Sequence, residues 1–271
     1  MNEKATLSEP PLHYSMEKII SVQTNPQSKI PNPKSKMPLE VLYLDNHVLV
    51  INKPPGLLAQ GDRTGDPTVL TLGKAFLKER FDKPGRVYLG LMHRLDRPAS
   101  GVMVLARTSK AARRLTDQFR QRRPEKGYLA VAEGRCEGEG VCEDYLVKES
   151  RQVRVVAEDY PKAKHARLRW RAIAFRDGLS LLDLRLETGR PHQVRVQLAH
   201  RGYPLLGDIR YGARRELDGR TLALHAYRLT LDHPTLGEPM TWTAPPPPTW
   251  HGLFDAEIEA ILSNNDQNPL P

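Results

Sequence analysis

The chain has 271 residues, and its 41 Lys and Arg residues outnumber its 32 Asp and Glu residues, which gives a net charge of +9 at pH 7. This length allows one large domain or two small ones, and the charge favours a polyanionic partner such as a nucleic acid. No apolar run approaches a membrane span, and polar residues follow Met1. Cys136 and Cys142 lack zinc-site spacing, so we expect reduced thiols in a cytoplasmic protein without membrane contact.

The first segment, residues 1–37, is rich in Pro, Lys, Asn and Ser and lacks a periodic apolar pattern. We predict a flexible N-terminal arm, for which a solvated tail is favoured over a nucleic-acid contact. Residues 39–53 predict two strands around the turn pair Asp45-Asn46, since residues 48–51 are apolar and β-branched. The sequence Asn52-Lys53-Pro54-Pro55-Gly56 then ends the second strand.

A first helix is predicted to begin with Asp66 as its N-cap and Pro67 at its first position. Leu70, Leu77 and Phe81 form its apolar face. After it, residues 101–106 are an apolar run that is typical of a buried strand.

The loop before that strand carries charged groups on a rigid support. Pro98 and Gly101 favour a tight turn, which places Asp96 between Arg94 and Arg97 at the mouth of the strand. A solvated turn with surface ion pairs is the simpler interpretation. A metal site lacks nearby partners, and the other motifs of a kinase catalytic loop are missing.

A second helix is capped by Thr108 or Ser109, with Ala112, Leu115 and Phe119 on one side. Its other side carries a single acid and many cations, so it is either a solvated face or a phosphate-facing surface. These cations are Lys110, Arg113, Arg114, Arg120, Arg122 and Arg123.

The second half of the chain predicts a strand at residues 128–131 and a hairpin, residues 167–175 and 179–187, around Asp177-Gly178. A helix is expected to begin at Pro191 and to end near residue 200. His192 and Arg195 share one face of it. Because strands dominate, we predict an α+β fold built on a mixed, largely antiparallel sheet.

Several blocks in this order resemble the RluA-type RNA pseudouridine synthases of the RluA/RsuA family. The central block is His93-Arg94-Leu95-Asp96 followed by Ser100-Gly101 and the apolar strand. The others are Asn52-Lys53-Pro54-Pro55-Gly56, Lys126-Gly127-Tyr128-Leu129-Ala130, Thr188-Gly189-Arg190-Pro191-His192-Gln193-Val194-Arg195, and Gly207-Asp208-Ile209-Arg210-Tyr211-Gly212 with Leu224-His225-Ala226. The resemblance covers residues 38–254; Ala99 departs from the Thr that the family often has, without removing a charged group.

The resemblance implies a pseudouridine synthase fold, with flanking helices and a central catalytic cleft. Residues 38–254 would be the catalytic domain, without an S4 domain, and residues 255–271 a C-terminal tail. It implies isomerisation of uridine in ribosomal or transfer RNA by a monomer that needs no cofactor and no metal.

The resemblance also implies roles for individual residues. Asp96 is the central catalytic group, Tyr128 stacks on the target base, and Arg195 pairs with Asp96. From sequence alone, Tyr128 is better explained as core filler, and Arg195 has an alternative explanation as a surface cation. Three actions of Asp96 stay open: attack at C1′, attack at C6 or abstraction of a proton. The residues expected to contact RNA are Arg94, Lys53, Arg190, His192 and Gln193.

Two other functions remain open at this point. One is a catalytically silent RNA-binding or ribosome-assembly protein with the same fold. The other is an unrelated metal-dependent hydrolase that would use His93, Asp96, His192 and His225.

Overall fold

The computed structural model describes residues 39–150 and 152–263, so the predicted arm at residues 1–37 lies outside the described residues. The strands are β1 (Glu40–Leu44), β2 (Val48–Lys53), β3 (Gly90–Leu91), β4 (Ser100–Ala106), β5 (Glu125–Glu133), β6 (Glu139–Glu149), β7 (Gln152–Val156), β8 (Lys164–Arg176), β9 (Leu179–Leu186), β10 (Leu224–Asp232) and β11 (Pro239–Thr243). The helices are α1 (Val69–Arg80), α2 (Ser109–Arg120), α3 (Gln193–His200) and α4 (Asp255–Ser263). Within these residues, no helix is long and apolar enough to span a membrane.

All of these strands join one sheet, in the order β1-β2-β4-β10-β5-β9-β8-β6-β7, with β11 beside β10 and β3 beside β4. The β4–β10 pair is parallel and the other pairs are antiparallel. The predicted mixed, largely antiparallel sheet is therefore confirmed, as are the strands predicted on both sides of Asp45-Asn46 and Asp177-Gly178.

The parallel pair is the seam between the two halves of the molecule. Gly101 has φ +125° there, and a Cβ on it would lie 2.3 Å from the carbonyl oxygen of Ala226. Only glycine allows this approach. Because β4 is buried along its whole length, the loop that precedes it is anchored at the seam.

The first helix begins later than predicted. Thr68, not Asp66, is its N-cap: its hydroxyl accepts from the backbone N–H of Thr71, and the Thr71 hydroxyl accepts from that of Thr68. Asp66 instead pairs with Arg97 at 2.7 Å. Phe81, expected on the apolar face, is the C-cap residue of α1 and is exposed, whereas Phe76 and Leu77 face the core.

The other two predicted helices are present. Thr108 caps α2 by accepting from the backbone N–H of Ala111, as predicted. The helix expected at Pro191 begins at Gln193, because His192, in the left-handed region at φ 51°, is its N-cap.

The C-terminal segment is part of the packed fold up to the end of α4. Trp250 and Phe254 are buried in one apolar cluster, as expected for docking on the domain, and Ile258 of α4 lies in the same cluster. Packing therefore continues past residue 254. The domain limits proposed from sequence stay a prediction.

Candidate active site

A cavity of about 600 Å³ opens at the mouth of β4, beside the seam. Its lining includes Arg94, Asp96 and Arg97 from the loop before β4, and the adjacent wall contains His192 and Arg195. The remaining walls are residues 58–62 and two segments around Asp208 and Arg220. This volume is in the range of pockets that hold small organic ligands.

Asp96 meets Arg195 in this cavity, although 99 positions separate them in the chain. The Arg195 Nη1 donates to an Asp96 carboxylate oxygen at 3.1 Å. The Arg195 side chain is 5% exposed and that of Asp96 is 23% exposed. The carboxylate is therefore held from one side and open to the cavity on the other, which is the arrangement that a nucleophile or base requires.

A second carboxylate, Asp208, holds Arg195 from behind. The Nε and Nη2 atoms of Arg195 each donate to a different oxygen of Asp208, both at 2.7 Å, and Asp208 is buried. Burial lowers the pKa of Arg195, but the hydrogen bonds and charge of Asp208, together with Asp96, raise it overall. The sequence predicts no role for Asp208. Its place in the block of residues 207–212 is its only sequence signal.

His192 lines the cavity beside Asp96 and also contacts Tyr211. The His192 Nδ1 lies 2.7 Å from the Tyr211 hydroxyl, and its Nε2 lies 3.9 Å from an Asp96 oxygen. Burial lowers the pKa of His192, with Asp96 opposing and Arg195 reinforcing the shift. The imidazole is therefore neutral at pH 7 and adds no positive charge beside Asp96.

Tyr128 lies on β5 between the two halves of the core. It packs against two apolar clusters, one that contains Leu95 and one that contains Ala99, and it is not among the residues that line the cavity. Burial, and then the Asp96 charge, raise the pKa of its phenol. Its hydroxyl is therefore a hydrogen-bond donor at neutral pH, and not a base.

Lys53 corrects one prediction. It is fully buried, and its Nζ donates to the carbonyl oxygens of Pro54 at 2.9 Å, Leu57 at 2.8 Å and Arg97 at 3.3 Å. Burial lowers its pKa to about 7, although the Asp96 charge opposes that shift. Lys53 therefore fastens the Asp96 loop to residues 54–57 and is not available to the RNA backbone.

Gln193 corrects a second prediction for the same reason. Its buried side-chain oxygen accepts from the Thr188 hydroxyl at 2.7 Å and from the backbone N–H of Arg190 at 3.0 Å. Its side-chain nitrogen donates to the carbonyl of Arg167. Gln193 shapes the turn before α3 and has no free group for RNA. Arg94, by contrast, is exposed in the cavity.

The four residues of the hydrolase alternative do not converge. His225 is fully buried, with its ring nitrogens 2.8 Å from the Ser100 hydroxyl and 3.0 Å from the carbonyl of Ala244. The Nε2 of His93 accepts from the backbone N–H of Val104. Only Asp96 and His192 of the four line the cavity, so this alternative loses its geometric basis.

Comparisons with known proteins agree with this geometry. The family model described as RNA pseudouridylate synthase matches residues 47–200. The ribosomal large subunit pseudouridine synthase D of Yersinia pestis is 35% identical over 237 residues, which are 82% of this chain and 71% of that protein. Its namesake in Xanthomonas campestris is 37% identical over 236 residues, 81% of this chain and 70% of that protein.

Solved structures show the same likeness. The human RNA pseudouridylate synthase domain containing 1 superposes with a TM-score of 0.67 at 25% identity, over 88% of this chain and 99% of that chain. The human RNA pseudouridylate synthase domain containing 4 has a TM-score of 0.64 at 25% identity, over 82% of this chain and 92% of that chain.

Proposed function

The chain belongs to the RNA pseudouridine synthase family, and on that premise we propose that it isomerises uridine in large-subunit ribosomal RNA, with Asp96 as the catalytic group. The observation that carries the role of Asp96 is its contact with Arg195, which Asp208 holds in turn. The relatives that match most of this chain are named for the large ribosomal subunit, which supports the choice of RNA.

The reaction breaks the N1–C1′ bond of uridine, joins C5 to C1′, and replaces the proton lost from C5 by one gained at N1. It is an isomerisation, so no group donor or redox partner enters the balance. Attack at C1′, attack at C6 and proton abstraction all require an ionised carboxylate. The Arg195 guanidinium, 3.1 Å away, places a positive charge directly beside that carboxylate.

The other site residues receive roles from their positions. Tyr128 stacks on the uracil, for which its apolar surroundings and aromatic ring are suited. Arg94, exposed in the cavity, fills the space that the target base leaves when it is extruded from its stack. His192 contacts the RNA from the cavity wall, and Arg190 contacts it from the turn before α3. Asp96 and Arg195 belong to one chain, so we expect a monomer to be active. We also expect the protein to act in the cytoplasm.

Mapping pseudouridine in RNA from cells with and without the gene tests this proposal. We expect at least one uridine of the large-subunit ribosomal RNA to remain unmodified without the gene. The wild-type gene should restore it, and the Asp96→Asn gene should not. A loss confined to transfer RNA would overturn the choice of RNA, and restoration by Asp96→Asn would overturn the role of Asp96 and support the catalytically silent alternative.

A further inference from the structure

Three cations come together near the turn that precedes α3: Arg122 just after α2, Lys126 on β5, and Arg190 in the turn itself. The Lys126 Nζ lies 3.9 Å from the position that a Cβ on Gly189 would take, so the lysine reaches across to the turn that carries Arg190. The Arg122 charge acts on both Lys126 and Arg190. We call these three residues the cationic cluster.

Lys126 lies on the same face of β5 as Tyr128. The two residues are two positions apart on this strand, so their side chains leave the same face. Two residues of a strand span about 7 Å. That distance is comparable to one nucleotide unit.

The cluster has no counter-charge in the described part of the chain. Neither Lys126 nor the Arg122 side chain makes an ion pair or hydrogen bond there, and the Arg190 Nε donates to a backbone carbonyl, that of His165. Burial, and then Arg122, lower the pKa of Lys126 to about 8. The adjacent acid, Glu125, pairs instead with Arg185.

Other cations of α2 and of the segment after it have partners within the chain. Arg120 pairs with Asp117, and the Arg114 Nη1 donates to the carbonyl of Pro234. Arg123, next to Arg122 in sequence, pairs with Asp232. Partly burying Lys126 and Arg190 near a third, exposed cation without an acid is unfavourable, so the cationic cluster is arranged for an anion that comes from outside the chain.

We propose that Arg122, Lys126 and Arg190 form a phosphate-binding subsite that holds a backbone phosphate of the RNA next to the target uridine. The proposal rests on the proposed function for the presence of RNA. It adds where the strand enters the site, and it assigns Lys126 and Arg122 to binding. A lysine suits a phosphate as a point charge, and an arginine can bind it with two N–H groups.

Binding of a nine-nucleotide oligouridylate, followed by fluorescence anisotropy over a range of KCl concentrations, tests the subsite. Lys126→Met and Arg122→Gln are the variants. Lys148→Met, which removes an exposed lysine on β6, is the matched control for net charge. Loss of one phosphate contact should weaken binding roughly fivefold and should lower the slope of log K against log salt by about 0.7. Lys126→Arg should keep the wild-type slope.

The result that overturns the subsite is a slope in Lys126→Met and in Arg122→Gln equal to that of Lys148→Met. Because Arg122 is exposed, its variant remains informative if Lys126→Met fails to fold in a thermal-unfolding control. Failure of the proposed function would give a different result: the wild-type protein would leave ribosomal uridines unmodified.

Discussion

Arg195 and Lys53 are both buried beside Asp96, but their charges are compensated in different ways. Arg195 contacts two carboxylates, those of Asp96 and Asp208. Lys53 contacts three backbone carbonyls and no carboxylate. The pKa of Arg195 is raised, since the carboxylates outweigh burial, whereas burial lowers the pKa of Lys53 to about 7.

The difference shows how one loop is held by two kinds of contact. The two carboxylates keep the Arg195 guanidinium ionised throughout the pH range in which the protein is folded. The positive charge beside Asp96 is therefore independent of pH. Carbonyl dipoles position Lys53 but leave its charge sensitive to pH. We therefore assign the permanent positive charge beside Asp96 to Arg195, and the position of the Asp96 loop to Lys53.

Replacing Arg195 by Ala should have the largest effect on stability. It leaves the buried Asp208 with an unpaired charge, which costs roughly 3–5 kcal/mol in the free energy of unfolding. Urea unfolding at pH 7 measures this. Arg195→Lys should recover only part of the loss, since an ammonium keeps the charge but loses the two-pronged contact with Asp208.

The control for this variant is Arg86→Ala, which removes an exposed arginine and should stay within about 0.5 kcal/mol of wild type. If Arg195→Ala lost no more than this control, the buried network would not be the main constraint on the site.

Asp208→Asn should have a smaller effect, because it keeps the shape of the side chain and removes one charge. An amide nitrogen would then face an Arg195 donor, so one hydrogen bond is lost, at a cost of about 1–3 kcal/mol. Asp208 does not contact substrate in our proposal and acts through Arg195 as a positioning residue.

The readout that separates positioning from a merely structural role is the single-turnover rate at saturating enzyme, compared with RNA affinity. With Arg195 less firmly held beside Asp96, that rate should fall about tenfold in Asp208→Asn while RNA affinity stays within a few fold of wild type. A variant that is less stable but keeps the wild-type rate would show that Asp208 supports the fold only.

Lys53→Met should have the smallest effect, lowering the free energy of unfolding at pH 7 by about 1 kcal/mol. The loss is small because an apolar chain of similar length replaces an ammonium whose burial was itself unfavourable. The pH dependence is more specific. The unfolded chain keeps the Lys53 proton up to about pH 10.5, and the folded chain only up to about pH 7. Between these values the unfolded state binds more protons, so wild-type stability should rise with pH relative to Lys53→Met.

Urea unfolding of both proteins at pH 6.5, 8 and 9.5 measures this gap, with the exposed Lys78→Met as the control that should show none. Parallel stability profiles for wild type and Lys53→Met would contradict the lowered pKa of Lys53.

The sequence was sufficient where the signals are local or carried by a motif. The buried strand β4, the turn at Pro98 and the hairpin at Asp177-Gly178 follow from residue type and periodicity over a few positions. The approach of Arg195 to Asp96 was predicted because the resemblance supplied a contact between distant positions, which spacing alone cannot provide.

The sequence was insufficient where the direction of a side chain depends on tertiary packing. Lys53 and Gln193 were expected to face RNA, yet both are buried and bonded to backbone groups. Asp208 had no predicted role, because its partner is Arg195 on α3 and no local pattern identifies it. The start of α1 was misplaced because Asp66-Pro67 is a common helix start, whereas here Asp66 contacts Arg97.

The measurement that tests the account most directly is single-turnover formation of pseudouridine by Asp96→Asn at saturating enzyme. The amide keeps the shape of the carboxylate and removes its charge, so we expect RNA affinity within a few fold of wild type and no detectable product. Turnover above about 1% of the wild-type rate would contradict the central role of Asp96.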